Sequence, residues 1–220
     1  MKKRLKFPNK RELNRGELER YNRYAIDLFL VLKTLRKYKE GVTIFGSRRF
    51  GEDNTYYQKA RELGGKLAKN GHTVITGGGP GIMEAANRGA HEAGGKAVGF
   101  SITIPTEQGV NPYLTDTAEF NYFFSRKLAL AFSSKVWVFF PGGYGTLDEL
   151  FDVLTLVRDG KVPPVPIFLI GSEYWKKLDS FFKSNAADAE EFDSSDFVHY
   201  KITDDLDEVV KAANQVIKPL

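Results

Sequence analysis

Lys135-Val136-Trp137-Val138-Phe139-Phe140-Pro141-Gly142-Gly143-Tyr144-Gly145-Thr146-Leu147-Asp148-Glu149 decides the fold. The run from Val136 to Phe140 is apolar on both faces, as in a parallel strand covered by helices on either side. A proline and three glycines then break the strand, and a helix is predicted over 146–158. Consecutive glycines let the backbone turn sharply, expose N–H groups and admit a ligand where a Cβ would block it. The start of the following helix adds partial positive charge, so Gly142, Gly143 and Gly145 form a candidate phosphate cradle. The Thr146 hydroxyl is expected to add a donor or to cap the helix.

The same rhythm extends outward. Short apolar runs at 42–46, 73–76, 96–102, 135–140 and 165–170, with a weaker one at 197–202, alternate with helical stretches at 53–70, 81–93, 123–132, 146–158, 173–184 and 204–216. The expected class is α/β: a Rossmann-like, doubly wound, mostly parallel sheet with helices on both faces, plus an N-terminal helix. That helix is predicted over 17–38, where Leu18, Tyr21, Ala25, Leu28, Leu32 and Leu35 make an apolar stripe expected to pack on the body or on a partner. Residues 1–40 therefore read as a basic extension and 41–220 as a Rossmann-like nucleotide-binding domain. Residues 103–117, with Pro105, Gly109 and Pro112, read as one long irregular connection, a length often associated with function.

Composition narrows the possibilities. With no cysteine, the chain has no disulfide framework, thiolate metal site or cysteine nucleophile. His72, His91 and His199 show no metal-ligand spacing, and no metal is expected. Residues 2–6 are basic, but Pro8, Lys10 and Arg11 stand where a signal peptide needs an apolar stretch, and no segment reaches membrane-spanning length. A soluble, cytoplasmic protein without membrane association is expected. The net charge of +4 is concentrated at the start: residues 1–40 carry thirteen Lys/Arg against five Asp/Glu, the other 180 nineteen against twenty-three. An acidic body disfavours nucleic acid as a partner.

In an open α/β sheet, ligands sit outside the carboxyl ends of the strands. Besides 141–146, two loops there are unusual: Gly46-Ser47-Arg48-Arg49 and Gly77-Gly78-Gly79-Pro80-Gly81. Glycines in such loops also serve tight turns alone, but two clusters on neighbouring strand ends favour a ligand. Competing motifs are missing. Ile82 stands where G-x-G-x-x-G needs its third glycine, and neither a P-loop nor a G-x-S-x-G elbow occurs. Glu149, three residues after Thr146, is expected to project from the same side of the first helical turn, where it could instead merely complement the helix dipole; Asp148 points about 100° away. Glu84 stands at the corresponding place after the other loop. Arg126-Lys127 begins an otherwise apolar helix, with Arg126 facing either the cleft or solvent.

Gly77-Gly78-Gly79-Pro80-Gly81-Ile82-Met83-Glu84-Ala85-Ala86-Asn87, Ser125-Arg126-Lys127 and 141–149 together resemble the Lonely Guy family of cytokinin riboside 5′-monophosphate phosphoribohydrolases, whose bacterial relatives often bear the label of lysine decarboxylases. The likeness covers roughly 41–170. It implies a homodimer that hydrolyses the N-glycosidic bond of a nucleoside 5′-monophosphate, AMP or an N6-modified AMP, without a cofactor. It further implies Arg126 and Glu149 as the catalytic pair, with Gly142, Gly143, Gly145 and Thr146 on the 5′-phosphate. Ser47, Arg48, Gly78 and Gly79 would complete the pocket, and Glu84 and Lys127 join the candidate substrate contacts. Asp148 departs from the second Glu of many members, and the Glu84-Ala-Ala-Asn run resembles the longer bacterial branch.

Three other readings stand beside this one. A non-catalytic nucleotide or molybdenum-cofactor carrier would share the fold, and a single-strand nucleic-acid binder is disfavoured by the acidic body. Lysine decarboxylation would need pyridoxal phosphate on a lysine, and no stretch marks such a site.

Overall fold

The computed structural model describes residues 14–103, 109–186 and 199–217. In chain order the elements are α1 (Arg15–Lys37), β1 (Gly41–Phe45), α2 (Thr55–Lys69), β2 (Val74–Thr76), α3 (Ile82–Glu92), β3 (Ala97–Ile102), β4 (Asp116–Phe120), α4 (Phe123–Phe132), β5 (Ser134–Phe139), α5 (Tyr144–Arg158), β6 (Ile167–Ile170), α6 (Ser172–Ala186), β7 (Lys201–Thr203) and α7 (Leu206–Val216). The strands form one seven-stranded sheet in the order β4-β3-β2-β1-β5-β6-β7, and every neighbouring pair is parallel. The α/β doubly wound class is thus as expected.

Alternate residues of the central strands feed two cores, because successive side chains of a strand point to opposite faces. Val42, Ile44, Val136 and Val138 pack with Tyr57, Leu63 and Leu67 of α2, Ala85, Ala86 and Ala90 of α3, and Val209 and Ala213 of α7. Phe45, Trp137 and Phe139 pack on the other face with Val31 of α1, Ala129 and Leu130 of α4, Leu150 and Val153 of α5, and Trp175 of α6. Gly64 and Gly89 let α2 and α3 meet backbone to backbone: a Cβ at either would lie 2.9 Å or less from main-chain atoms of the other helix.

Several elements differ from the sequence reading. The irregular stretch 103–117 runs into an extra strand, β4, whose Asp-Thr-Ala-Glu-Phe sequence alternates in burial at the sheet edge, so its polar positions conceal it. Residues 104–108 lie outside the described residues, as do the first two residues of the strand expected at 197–202; β7 itself is Lys201–Thr203. Strand β6 starts at Ile167, after Pro163, Pro164 and Pro166, rather than at 165. On α1 the face packed on the body is Asp27, Val31 and Thr34, with Leu30 and Leu35 half-buried beside it. Of the predicted stripe, Leu35 thus packs on the body, while Tyr21, Leu28 and Leu32 lie about 100° around the helix from the packed face and are exposed.

Candidate active site

The chain winds from β1 outward to β4, then returns to lay β5 against the other side of β1. The strand order therefore reverses between β1 and β5, and the loops leaving their carboxyl ends open a crevice. The amide of Ser47, after β1, donates to the Pro141 carbonyl, after β5, at 3.0 Å. The Ser47 carbonyl accepts from the Ile82 amide at 3.0 Å, which brings the start of α3 to the same place. Gly81 makes this approach feasible: its φ is 73°, and a Cβ there would lie 2.7 Å from the Arg48 Cα. The cleft so formed has a volume of about 1340 Å³. Ser47, Arg48, Gly78, Gly79, Gly142, Gly143, Gly145, Thr146, Arg126 and Glu149 all line it.

The start of α5 opens into the cleft without a side-chain cap. Its N-cap is Gly143, no side chain caps it, and no acidic residue stands in its first turn. Thr146 is therefore the third residue of the helix rather than its cap, with its amide on the Gly143 carbonyl at 3.0 Å. A Cβ on Gly142 would come 2.7 Å from the Thr146 Cβ, whereas Gly143 and Gly145 have nothing within 4 Å of theirs. The Tyr174 hydroxyl of α6 donates to the Gly142 carbonyl at 2.6 Å and pins the loop from behind.

The Gly77–Gly79 loop is braced by Thr76 and Asn111, to which the sequence reading gave no role, and by Asn87, the last residue of the glycine-loop motif. The Gly78 amide donates to the Thr76 hydroxyl at 2.9 Å, and the Thr76 hydroxyl donates to the buried Asn87 Oδ1 at 2.6 Å. The Asn111 Nδ2 lies 3.0 Å from the Gly78 carbonyl, 3.2 Å from the Gly79 carbonyl and 3.1 Å from the Asn87 Oδ1. The only sequence signal for Asn111 was its place in the long irregular connection.

Arg126 reaches across this loop from the first turn of α4. Its Nη2 lies 2.8 Å from where a Gly77 Cβ would sit, so glycine leaves space for the guanidinium. Because α5 starts at Tyr144, two residues before the predicted start, Glu149 falls in its second turn, and only 8% of it is exposed. Burial raises its carboxyl from 4.5 to about 7, against the opposing pull of Arg126 and Lys127, while Asp148 and Asp152 add to the rise. A carboxylate that merely complemented a helix dipole would move the other way. The site thus holds a buried acid poised near neutrality beside a permanent cation.

Two candidates lie elsewhere. Glu84 faces α2, accepting a 2.9 Å hydrogen bond from the buried Tyr57 hydroxyl, and is not part of the cleft lining. Lys127 turns onto the flank of α5, 2.8 Å from Asp148 and 3.9 Å from Asp152, so it ties α4 to α5 instead of facing the cleft. Among the described residues no group of three His, Cys, Asp or Glu is placed to hold a metal ion. Among those residues, too, no helix is long and apolar enough to cross a membrane.

A protein known from rice (Oryza sativa subsp. japonica) as a probable cytokinin riboside 5′-monophosphate phosphoribohydrolase is 32% identical over 117 residues, 52% of this chain and 47% of its own. The chain thus spans about half the length of that relative. A cytokinin riboside 5′-monophosphate phosphoribohydrolase of Arabidopsis thaliana is 28% identical over 153 residues, 68% of this chain and 71% of that one. Among solved structures, the structural-genomics target TM1055 superposes with a TM-score of 0.62 at 27% identity, covering 80% of this chain and 99% of that one. The molybdenum cofactor binding protein of Rippkaea orientalis superposes at 0.58 with 21% identity, over 82% of this chain and 98% of that one, a likeness of fold alone. The family model described as "Possible lysine decarboxylase" matches residues 83–213, from the first turn of α3 to α7, and so takes in Arg126, the Pro-Gly-Gly turn and Glu149. The chain belongs to that family, the one that contains the Lonely Guy phosphoribohydrolases.

Proposed function

We propose that this protein hydrolyses the N-glycosidic bond of a nucleoside 5′-monophosphate, AMP or an N6-modified AMP, releasing the free base and ribose 5-phosphate. The observation that carries the reading is the buried Glu149 carboxyl, raised to about 7, placed with Arg126 in the cleft that the uncapped start of α5 also opens into. In this reading the 5′-phosphate rests on Gly142, Gly143, Gly145 and Thr146, with Ser47, Arg48, Gly78 and Gly79 closing the pocket. As the C1′–N bond breaks, its electron pair leaves with the base and positive charge grows on the ribose. Ionised Glu149 stabilises that charge and accepts a proton from the water that adds its oxygen to C1′; the departing base takes up one proton from solvent and Glu149 returns one to it, so that one water is consumed for each bond broken. Arg126 stays protonated, so its part is to hold the phosphate or the departing base.

A homodimer fits the same reading. Apolar side chains of α1 point outward, with Ile26, Phe29 and Leu32 each more than half exposed, and the exposed Tyr24 of the same helix meets the exposed Phe124 of α4 ring to ring. Contiguous apolar surface of this kind marks interaction sites. The cleft, at about 1340 Å³, also has room for a second reading, in which a pterin or an intact nucleotide is held without turnover. Incubation with AMP, followed by chromatography, separates the two. Adenine and ribose 5-phosphate in equal amounts support hydrolysis, whereas tight binding with the nucleotide recovered intact supports the carrier.

A further inference from the structure

The N-terminal helix precedes both the family match at 83–213 and the glycine loops, yet it contributes a buried carboxylate to the start of α4. Asp27 is fully buried in an α1 face that otherwise packs Val31 and Thr34. Its Oδ2 accepts from the Asn121 amide at 3.0 Å, the Tyr122 amide at 2.9 Å and the Ser125 hydroxyl at 2.6 Å. Its Oδ1 accepts from the Asn121 side-chain amide at 2.8 Å. Tyr122 is the N-cap of α4 and makes no side-chain cap of its own; the Asp27 carboxylate, supplied from another helix, binds the Asn121 and Tyr122 amides that lead into α4 and the Ser125 hydroxyl of its first turn, at the positive end of the helix. Ser125, itself fully buried, immediately precedes Arg126. The far end of α1 is fixed as well, through Lys37 and Tyr38 onto Asp116 of β4.

We propose that Asp27 is a positioning residue: by holding Asn121, Tyr122 and Ser125 it fixes the first turn of α4 and so holds the Arg126 guanidinium over Gly77. This rests on the hydrolase reading for what Arg126 does, but not for where Arg126 lies. Burying a carboxylate among apolar groups is unfavourable unless hydrogen bonds compensate, and here four do so at one helix terminus. The same hydrogen bonds outweigh the upward push of burial and leave the Asp27 carboxyl below its ordinary value.

The test compares wild type with the isosteric Asp27→Asn and the milder Ser125→Ala, each alone and combined with Arg126→Ala. Amide exchange across residues 121–126 and the rate at which phenylglyoxal modifies Arg126 need no substrate; both should rise about tenfold or more in Asp27→Asn. The kcat for AMP should fall by roughly 10²-fold with little change in KM, and in the Arg126→Ala background Asp27→Asn should add almost nothing. Unchanged exchange, or exchange that rises while the modification rate of Arg126 and kcat stay as in wild type, would overturn the proposal. So would losses that multiply in the double variant, which mark a general structural defect. A wild type that releases no base defeats the hydrolase reading alone, since the exchange and modification rates still decide the place of Asp27.

Discussion

Replacing Glu149 by glutamine should make the ligand-free protein more stable, and by an amount that depends on pH. The side chain is 8% exposed, and its carboxyl is raised from 4.5 to about 7 by burial. Below about pH 4.5 the group is neutral in both folded and unfolded chains, so wild type and variant should match. Between 4.5 and about 7 the folded state holds a proton that the unfolded state has lost, and wild-type stability falls as pH rises through that window. The displacement corresponds to about 3 kcal/mol once both states are ionised. Glutamine keeps the shape and one acceptor oxygen without the charge. A chain of this length converts each kcal/mol into roughly 2–4 °C, so the Tm of the variant should exceed wild type by about 6–12 °C near pH 8 and by almost nothing near pH 4. Thermal unfolding followed by circular dichroism across that range reads the gap directly. A variant less stable than wild type near pH 8, or a gap that does not change with pH, would show that the carboxylate is well paired and that burial does not govern it.

Other expectations concern the surrounding groups. Base release should rise with pH through about 7 as Glu149 ionises, and Arg126→Met should move that rise to higher pH, because a cation that favours the ionised form is gone; an unmoved limb would separate the two residues. Gly143→Ala and Gly145→Ala have open space and should fold as wild type while AMP affinity drops about tenfold or more, as expected where a Cβ takes ligand space. Gly142→Ala, which forces Thr146 aside, should lower Tm as well; undiminished affinity in the first two would remove the phosphate from that loop. Phe29→Glu, at a side chain 68% exposed, should convert a dimer to a monomer in sedimentation velocity, and a wild type already monomeric would remove the dimer from the account.

The glycine loops and most strand positions could be read in advance because they are local. A proline and three glycines after five apolar residues dictate a strand end and a turn whatever surrounds them. Strand β4 escaped because an edge strand with one covered face reads as Asp-Thr-Ala-Glu-Phe, and only the partner strand β3 makes it a strand. Spacing along a helix assigns a residue to a turn but not to a neighbour. Glu84 and Glu149 held similar places in sequence, yet one meets Tyr57 from α2 while the other is buried in the wall of the cleft. Arg126 and Lys127 adjoin in sequence and diverge by about 100° in space, one toward Gly77 and the other toward Asp148. Asp27 was concealed more completely, since a lone acid on an apolar helix face reads as solvated until the start of α4 is placed against it.

The most direct measurement is chromatographic detection of free base from a panel of nucleoside 5′-monophosphates, with wild type and Glu149→Ala side by side and folding checked by circular dichroism. The account predicts adenine or an N6-substituted adenine released together with ribose 5-phosphate by wild type, and none by the variant. Silence from folded wild type on every monophosphate, or release that survives the loss of Glu149, would contradict it.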